Sequence, residues 1–400
     1  MRRYAVLAAA VLVQVCLGGI YAWSAVAEAL QQDLGYSARQ TQVTFGTVFL
    51  TFTTAIIVTG RLQDRFGPRP LVMASGLLLM AGYGLGWASA SFAVLWVGVG
   101  LLGGLAIACG YIPTIAAVVG WFPGARGAAT GVVVAGYGSG AIFASQLISH
   151  LRGQGLGARD LLLTIGVGYG LLVLLGGLAV SAASTAPAQD APRRPKAREL
   201  IRDRRLQRMF FAFLLGNLPG LMVLGSLKSI ALGRDLSEAA ATAAIGAAAL
   251  GNMAGRVAWG AVSDRLGYHR SAAVSLVVIV LVQAAFALGW GGSSAFLGLT
   301  FLVGFGFGSC LVLHAAQVGR VWGAERFGSV YPPVMVAHGL GALTGPYAAG
   351  WSFDATGAYG AALWMAVGSA GLALGAWALL AEARPAGAAS APGADGGPDA

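Results

Sequence analysis

The sequence contains two copies of one short polar pattern, GRLQDRFG at residues 60–67 and GAVSDRLG at residues 260–267. Both copies have glycine at each end and Asp followed by Arg at the fifth and sixth positions. Each copy follows a long apolar segment, and the two copies lie 200 residues apart. A repeat at this distance predicts a chain made of two related halves.

A second repeated pattern supports the same division of the chain. Residues 121–127 read WFPGARG and residues 322–328 read WGAERFG, again after an apolar segment. A single Gly-x-x-x-Asp pattern is usually only a polar turn, but chance does not explain copies at equivalent places in both halves. We predict that the first pair of loops forms a latch, because a carboxylate there can pair with an arginine or a helix N-terminus in one conformation only. The predicted latch residues are Asp64, Arg65, Asp264 and Arg265.

The composition excludes most classes of soluble protein. A soluble domain carries about 25% charged residues, whereas this chain has 10% charged and 57% hydrophobic residues and a mean hydropathy of +0.74. So few charges cannot cover a water-facing surface, so most of the surface must face lipid. Soluble enzymes and nucleic-acid-binding proteins are therefore excluded, despite the net charge of +10. The three cysteines lie inside apolar segments and offer neither a disulfide framework nor a CxxC metal pair.

The apolar segments number twelve, and each is long enough to cross a bilayer as a helix, which takes roughly 20 residues. They predict an all-α membrane protein with two pseudo-symmetric six-helix bundles, residues 1–182 and residues 209–382. A cytoplasmic linker at 183–208 would join the bundles, and the low-complexity tail at 383–400 would be disordered. The segments lie near 4–30, 41–60, 70–90, 92–118, 128–149, 160–182, 209–232, 239–261, 271–290, 295–318, 328–350 and 358–381.

The distribution of Lys and Arg predicts the orientation of the chain. The termini and the loops that follow even-numbered segments hold 19 of the 25 Lys and Arg residues, whereas the other loops hold 4. Because cytoplasmic loops are enriched in these residues, both termini are predicted to be cytoplasmic. The plasma membrane, which in a bacterium is the inner membrane, is the predicted location, and the lipid bilayer is a predicted partner.

The repeated Gly-x-x-x-Asp-Arg-x-Gly pattern resembles the signature of the major facilitator superfamily. More narrowly, GIYAWS at residues 19–24 and RGAATG at residues 126–131 resemble the oxalate:formate antiporter family and its monocarboxylate-transporter relatives, as does the stretch from Gly110-Tyr111 to residues 121–123. The resemblance covers nearly the whole chain apart from the linker and the tail. It implies secondary transport through a cavity between two bundles, with a substrate-binding Arg in segment 8 and a polar or acidic residue four positions earlier.

Ionisable residues inside the predicted segments are candidates for function, because a charged side chain at that depth costs roughly 2.5–3.5 kcal/mol. They are Glu28, Lys228, Arg256, His314 and His338. Glu28 lies near the end of its segment, where it is expected to reach water. Lys228 can extend its stem to the interface, and the alternative is a cation that draws anions into the outer vestibule.

Arg256 is the first candidate for binding substrate. Gly251 and Gly255 would let a neighbouring helix approach closely, which favours a position inside the bundle. Asn252 and Arg256 are four residues apart, so they share one helix face and can address one ligand. A guanidinium matches a carboxylate with two charge-assisted hydrogen bonds. The alternative is that Arg256 extends toward the cytoplasmic end of its helix, where Asp264 lies.

The second candidate is His338, near the middle of segment 11. The antiporter that this segment resembles has Lys at the matching place, so His here favours a monocarboxylate over an obligate dicarboxylate. A histidine can change charge near physiological pH, which makes His338 and His314 candidates for proton coupling. The alternative for both is a packed structural histidine. The resemblance also favours aromatic residues of the cavity, namely Tyr21, Tyr111 and Tyr137.

The predicted segments contain no mid-depth Asp or Glu, which favours an anionic substrate over a cation. The sequence therefore predicts a secondary carrier of a small carboxylate such as lactate, pyruvate or formate, with proton symport as one coupling mode. An oxalate:formate type of antiporter is the alternative, and a non-transporting membrane sensor is the alternative of another class. We expect no enzyme activity, cofactor or metal, since HExxH, GxSxG and phosphate-binding patterns are missing from the sequence.

Overall fold

The computed structural model of the chain describes residues 2–181, 197–289 and 292–382. The predicted tail and most of the predicted linker lie outside the described residues. Within these residues, twelve long helices cross the same layer in alternating directions. They are α1 (Arg2–Leu34), α2 (Ala38–Phe66), α3 (Pro68–Ala88), α4 (Phe92–Trp121), α5 (Arg126–Gly153), α6 (Ala158–Ala179), α7 (Arg204–Leu224, continued by Leu227–Leu232), α8 (Glu238–Leu266), α9 (Tyr268–Ala287), α10 (293–322), α11 (324–356) and α12 (Gly360–Glu382).

The predicted all-α fold with two six-helix bundles is confirmed. Ten of the helices in the described chain are long and apolar enough to cross a membrane. The two others, α8 and α11, carry Asn252, Arg256 and His338. The first bundle contains α1–α6 and the second contains α7–α12. We call the face with the α2–α3 and α8–α9 turns the basic face, and the other face, with the α1–α2 and α7–α8 turns, the opposite face.

The repeated pattern ends helices rather than forming loops. Helices α2 and α8 have 29 residues each and continue through the predicted latch residues. Gly60 and Gly260 are therefore helical, and the expectation that the whole repeated pattern lies in loops was wrong. The turn is made at Gly67 and Gly267, with φ of 78° and 74°, a conformation that glycine adopts without steric cost.

Segment 7 and the linker also differ from the predictions. Helix α7 begins at Arg204 rather than 209, and it is interrupted at Gly225 and Ser226. Residues 197–202, predicted as part of a linker, form a short helix that contacts α7. Segments 10 and 11 are separated by a kink at Gly323, where φ is 77°.

At the opposite face, the two bundles meet through α2 and α11 with their backbones in contact. A Cβ on Gly46 would overlap the backbone of Ala342, and one on Gly350 would overlap the backbone of Ala38. Helix α5 packs against α8 in the equivalent position on the other side. Contacts between small residues let helices approach closely in lipid, so the halves are tightly joined at this face.

Candidate functional site

A cavity of about 1470 Å³ lies between the two halves. Both halves line it, with Tyr21 from α1 and His338 from α11 near its inner end. Its lining continues to Asp64, Gln207 and Arg326 at the basic face. The structure therefore holds a conformation whose cavity reaches the basic face and whose opposite face is closed.

Arg256 lines this cavity from α8 and is half-buried. Its Nε donates a hydrogen bond to Oδ1 of Asn252 at 3.2 Å, and the guanidinium interacts electrostatically with the Tyr21 hydroxyl. A guanidinium has five N–H donors in a planar fork. Asn252 takes one of them, so the fork still has donors to offer a ligand in the cavity.

The close packing of α8 on α10 orients Arg256. A Cβ on Gly251 would overlap the carbonyl of Phe301, and a Cβ on Gly255 would overlap the carbonyl of Phe305. The face of α8 that carries Gly251 and Gly255 therefore packs directly against the backbone of α10. Because Arg256 follows Gly255 by one residue, it lies about 100° around the helix from that contact, on a face that adjoins the cavity.

Three tyrosines of the first half form an aromatic cluster at the inner end of the cavity. The ring centroids of Tyr21 and Tyr137 are 5.5 Å apart, and those of Tyr111 and Tyr137 are 5.0 Å apart. Tyr21 is carried by a short 3₁₀ segment, Gly19–Ala22. Next to it, Gly18 lies so close to the Tyr137 backbone that a Cβ would not fit. The break in α1 and this close approach bring the two rings together.

The Tyr137 hydroxyl is buried and has no hydrogen-bond partner among the described residues. A buried polar atom without a partner costs about 1–3 kcal/mol, and this hydroxyl belongs to a residue that lines the cavity. Tyr331 of α11 also lines the cavity and interacts electrostatically with Arg256 and Tyr21. The sequence analysis missed Tyr331, although it lies seven residues before His338 and hence on the same helix face.

The structure separates the two histidines. His338 lines the cavity and is 1% exposed, and Nδ2 of Asn217 donates to its Nδ1 at 2.6 Å. His314 is not among the residues that line this cavity. Its Nδ1 donates to the carbonyl of Cys310 at 2.7 Å, and its ring stacks on Phe213. Both histidines therefore have the packing contacts of structural residues, and His338 also borders the pathway.

The predicted latch residues lie at the basic face. Oδ1 of Asp264 is 3.5 Å from Nη2 of Arg320, and both residues belong to the second half and are exposed. Exposed pairs contribute only about 0–1 kcal/mol. Asp64 lines the cavity mouth, and the Arg65 guanidinium lies over the ring of Phe66. Pairing of these residues in a conformation closed at the basic face stays a prediction.

Polar contacts between the halves close the opposite face. Nε2 of Gln42 donates to the carbonyl of Gly225 at 2.7 Å. Asp354 of α11 accepts hydrogen bonds from the backbone N–H groups of Ala38 and Arg39, at 2.9 and 3.1 Å. A carboxylate at a helix N-terminus is favoured by the helix dipole, so the second half caps α2 of the first.

Glu28 and Lys228 also join the halves at this face, at a distance of 3.0 Å. They are 6% and 3% exposed. The expectation that Glu28 reaches water was wrong, because Glu28 is buried against Lys228. Lys228 is buried as well, and its ammonium group contacts both Glu28 and the exposed Glu238. The 200-residue repeat was the signal that could have paired Glu28 with Lys228, since they occupy equivalent positions.

Comparison with known proteins relates the whole chain to membrane transporters. The chain is 26% identical over 349 residues to the MFS-type transporter YhjX of Escherichia coli (strain K12), covering 85% of this chain and 86% of that protein. It is 28% identical to the oxalate:formate antiporter of Oxalobacter formigenes, with 82% and 83% covered. It is 26% identical to monocarboxylate transporter 13 of Bos taurus, with 76% and 71% covered.

A solved structure has the same fold. The nucleoside transporter NupG superposes with a TM-score of 0.79 over 95% of this chain and 100% of that one, at 14% sequence identity. The family model described as Major Facilitator Superfamily matches residues 8–331 and 220–398. These matches cover nearly the full length, including both halves and the cavity between them. The chain is a multi-pass membrane transporter that belongs to the major facilitator superfamily.

Proposed function

We propose that the protein is a secondary active carrier of small monocarboxylates, with Arg256 binding the carboxylate. The observation that supports this most directly is the half-buried guanidinium in the cavity between the halves, with donors still free for a ligand. The names of the antiporter and monocarboxylate-transporter relatives agree with an anionic substrate. We further propose that the basic face is cytoplasmic, as the distribution of Lys and Arg suggests.

The second candidate function is antiport of a dicarboxylate against a monocarboxylate. A dianion would need a second cation near Arg256. The group in place for that role is His338, which is buried and already accepts a hydrogen bond from Asn217. Charging a buried imidazole costs free energy unless it is paired. His338 is therefore not a permanent second cation that could hold a dianion, and it would take up a proton only together with a bound carboxylate.

In the mechanism, substrate would reach Arg256 through the cavity from the basic face. Tyr21 and Tyr137 of the first half would bind the same ligand from the other side. A ligand that contacts both halves favours the conformation in which they close around it. The halves could then rock about the site and open the opposite face. The latch residues would pair when the basic face closes.

Transport by the purified protein in proteoliposomes tests this proposal. Labelled lactate, formate and oxalate should be compared, each with and without an imposed pH gradient. We expect uptake of lactate or formate that Arg256→Gln removes. Absence of uptake of all three would overturn carboxylate transport and favour a sensor. Uptake of oxalate in preference to both monocarboxylates would favour the second candidate.

The same assay tests proton coupling through His338. We expect His338→Gln to lose stimulation by the pH gradient while keeping exchange of labelled for unlabelled lactate. His314→Gln is the matched control, since His314 is a buried histidine away from the cavity lining. Equal loss of stimulation in both variants would contradict a specific role of His338.

A further inference from the structure

Lys228 is a buried cation between two carboxylates, and the proposed mechanism does not use it. Its Nζ lies 3.0 Å from Oε2 of Glu28 and 2.9 Å from Oε2 of Glu238. Glu28 belongs to the first half, whereas Glu238 belongs to the same half as Lys228. The side chain of Glu238 is 62% exposed. The lysine therefore has one buried partner across the interface between the halves and one solvated partner on its own side.

Glu28 and Lys228 are equivalent residues of the two halves. Each lies nine residues before the serine that caps the next helix, Ser37 or Ser237. The chain also turns between them and these caps with the same unusual backbone, φ of 66° at Gly35 and 58° at Asp235. Two equivalent groups that contact each other must lie close to the pseudo-twofold axis relating the halves.

In this fold the axis between the halves runs along the membrane normal, and the cavity lies on it. The pair of Glu28 and Lys228 therefore lies where the axis meets the opposite face. That is the place where a pathway to Arg256 must open when the halves rock. Along α8, Arg256 is 18 residues beyond Glu238, which is about 27 Å of helix. Lys228 is thus at the mouth of the pathway and far from the central site.

Opening the opposite face changes the two charges differently. Glu28 keeps neighbours within its own half, because Gln32 donates a hydrogen bond to it and Arg152 interacts with it electrostatically. Lys228 keeps only Glu238 among its described ion-pair partners, and that carboxylate is largely solvated. The ammonium group would then face the open pathway with a vacant place for one carboxylate.

We propose that Lys228 is a second anion-binding site, at which a substrate carboxylate takes the place of Glu28 when the opposite face is open. This inference rests on the proposed function. A lysine is a compact charge with three rotatable donors and no fixed fork, whereas arginine binds a carboxylate in one bidentate geometry. Lys228 thus captures anions at the mouth, and Arg256 orients them at the centre.

A purely structural pair makes a different prediction from an anion site. If the two residues only hold the opposite face closed, then removing either charge breaks the same contact and has the same effect. If Lys228 binds substrate, Glu28 is its competitor. Neutralising the lysine then weakens substrate capture, and neutralising the glutamate strengthens it.

Lactate transport kinetics in right-side-out and inside-out membrane vesicles test this. We expect Lys228→Gln to raise KM about tenfold, and Glu28→Gln to lower KM severalfold, only in vesicles that present the opposite face to the medium. Lys228→Arg should keep a KM near that of the wild type. Surface-exposed protein, measured by labelling, controls for expression of each variant.

Shifts in the same direction for the two neutral variants, or equal shifts from both faces, would overturn the anion site. If Lys228→Gln does not fold, the Glu28→Gln variant is a sufficient test. An unchanged or raised KM for lactate in that variant would overturn the anion site. Failure of the proposed function looks different, because the wild type itself would then not transport lactate, or Arg256→Gln would transport it normally.

Discussion

Helices α2 and α8 occupy equivalent places in the two halves and share one design. Both have 29 residues, a serine cap at the first end and a glycine of positive φ at the other. They differ where they border the cavity. Ile56 of α2, which lines the cavity, has Arg256 of α8 as its equivalent. Phe52 has as its equivalent Asn252, which is hydrogen-bonded to Arg256 but is not itself among the lining residues. The serine caps and turn glycines that the two helices share build the fold. The residues that differ between the two helices distinguish the two sides of the cavity.

The same contrast extends around the cavity. Tyr21 and Tyr111 in the first half correspond to Leu221 and Leu311 in the second. At the inner end of the cavity, the first half thus contributes the hydroxyls of Tyr21, Tyr111 and Tyr137, and the second half contributes Arg256 together with Tyr331. A small anion that satisfies both must touch both halves at once. Its binding energy is then available for moving one half relative to the other.

Among the changes that test this difference between the halves, replacing Arg256 should reduce transport most. We expect Arg256→Gln to lower the kcat/KM of lactate transport about a hundredfold or more, because each hydrogen bond between charged groups contributes about 1.5–3 kcal/mol. Initial uptake rates in proteoliposomes measure this. Arg61→Gln is the matched control, since Arg61 also lines the cavity but at its mouth.

A similar loss of kcat/KM in Arg256→Gln and Arg61→Gln would mean that transport depends on the overall positive charge of the cavity and not on Arg256 in particular. Arg256→Gln should also leave the thermal stability in detergent near that of the wild type, because Arg256 is half-buried and its Nε hydrogen bond to Asn252 joins two residues of the same helix. A transporting Arg256→Gln variant would contradict the assignment of the central site.

The next change places a carboxylate beside the arginine. We expect Asn252→Asp to raise KM about tenfold, because an aspartate 3.2 Å from Arg256 Nε would pair with the guanidinium and compete with the substrate. Uptake as a function of lactate concentration measures KM. Asn252→Ser, which adds no charge, should change KM less, and an unchanged KM for Asn252→Asp would show that the guanidinium does not bind the anion.

The repeated parts of the fold could be predicted from the sequence, and the contacts between the repeats could not. Hydropathy and the two copies of the Asp-Arg pattern predicted the twelve helices and the two bundles. Arg256 was proposed because charge inside an apolar segment is costly, and Asn252 because it lies four residues before Arg256. The structure places Arg256 at the cavity wall, and the role of both residues in binding stays a prediction. The role of Gly67 rather than Gly60 in the turn, the burial of Glu28 against Lys228, and Tyr331 at the cavity wall depend on backbone angles and on packing between distant helices.

A smaller effect should come from removing one hydroxyl from the first half. We expect Tyr137→Phe to raise KM by about fivefold if the buried hydroxyl bonds the substrate, since one hydrogen bond is worth about 1 kcal/mol. Its stability should stay equal to or slightly above that of the wild type, because the hydroxyl has no partner among the described residues. KM and the unfolding temperature are the two measurements. A loss of stability would mean that the hydroxyl is satisfied within the protein and not by a ligand.

The smallest effect concerns what the two helices share. Ser37 accepts a hydrogen bond from the Gln40 backbone at 3.1 Å, and Ser237 accepts one from the Ala240 backbone at 3.2 Å. Ser37→Ala and Ser237→Ala should each cost about 1 kcal/mol, as helix caps do, and lower the unfolding temperature in detergent by similar amounts. Neither should change KM for lactate, because both caps lie at the opposite face, far from Arg256. A KM change in one variant alone would show that a repeated element contributes to binding, and the division between shared fold and unshared chemistry would then fail.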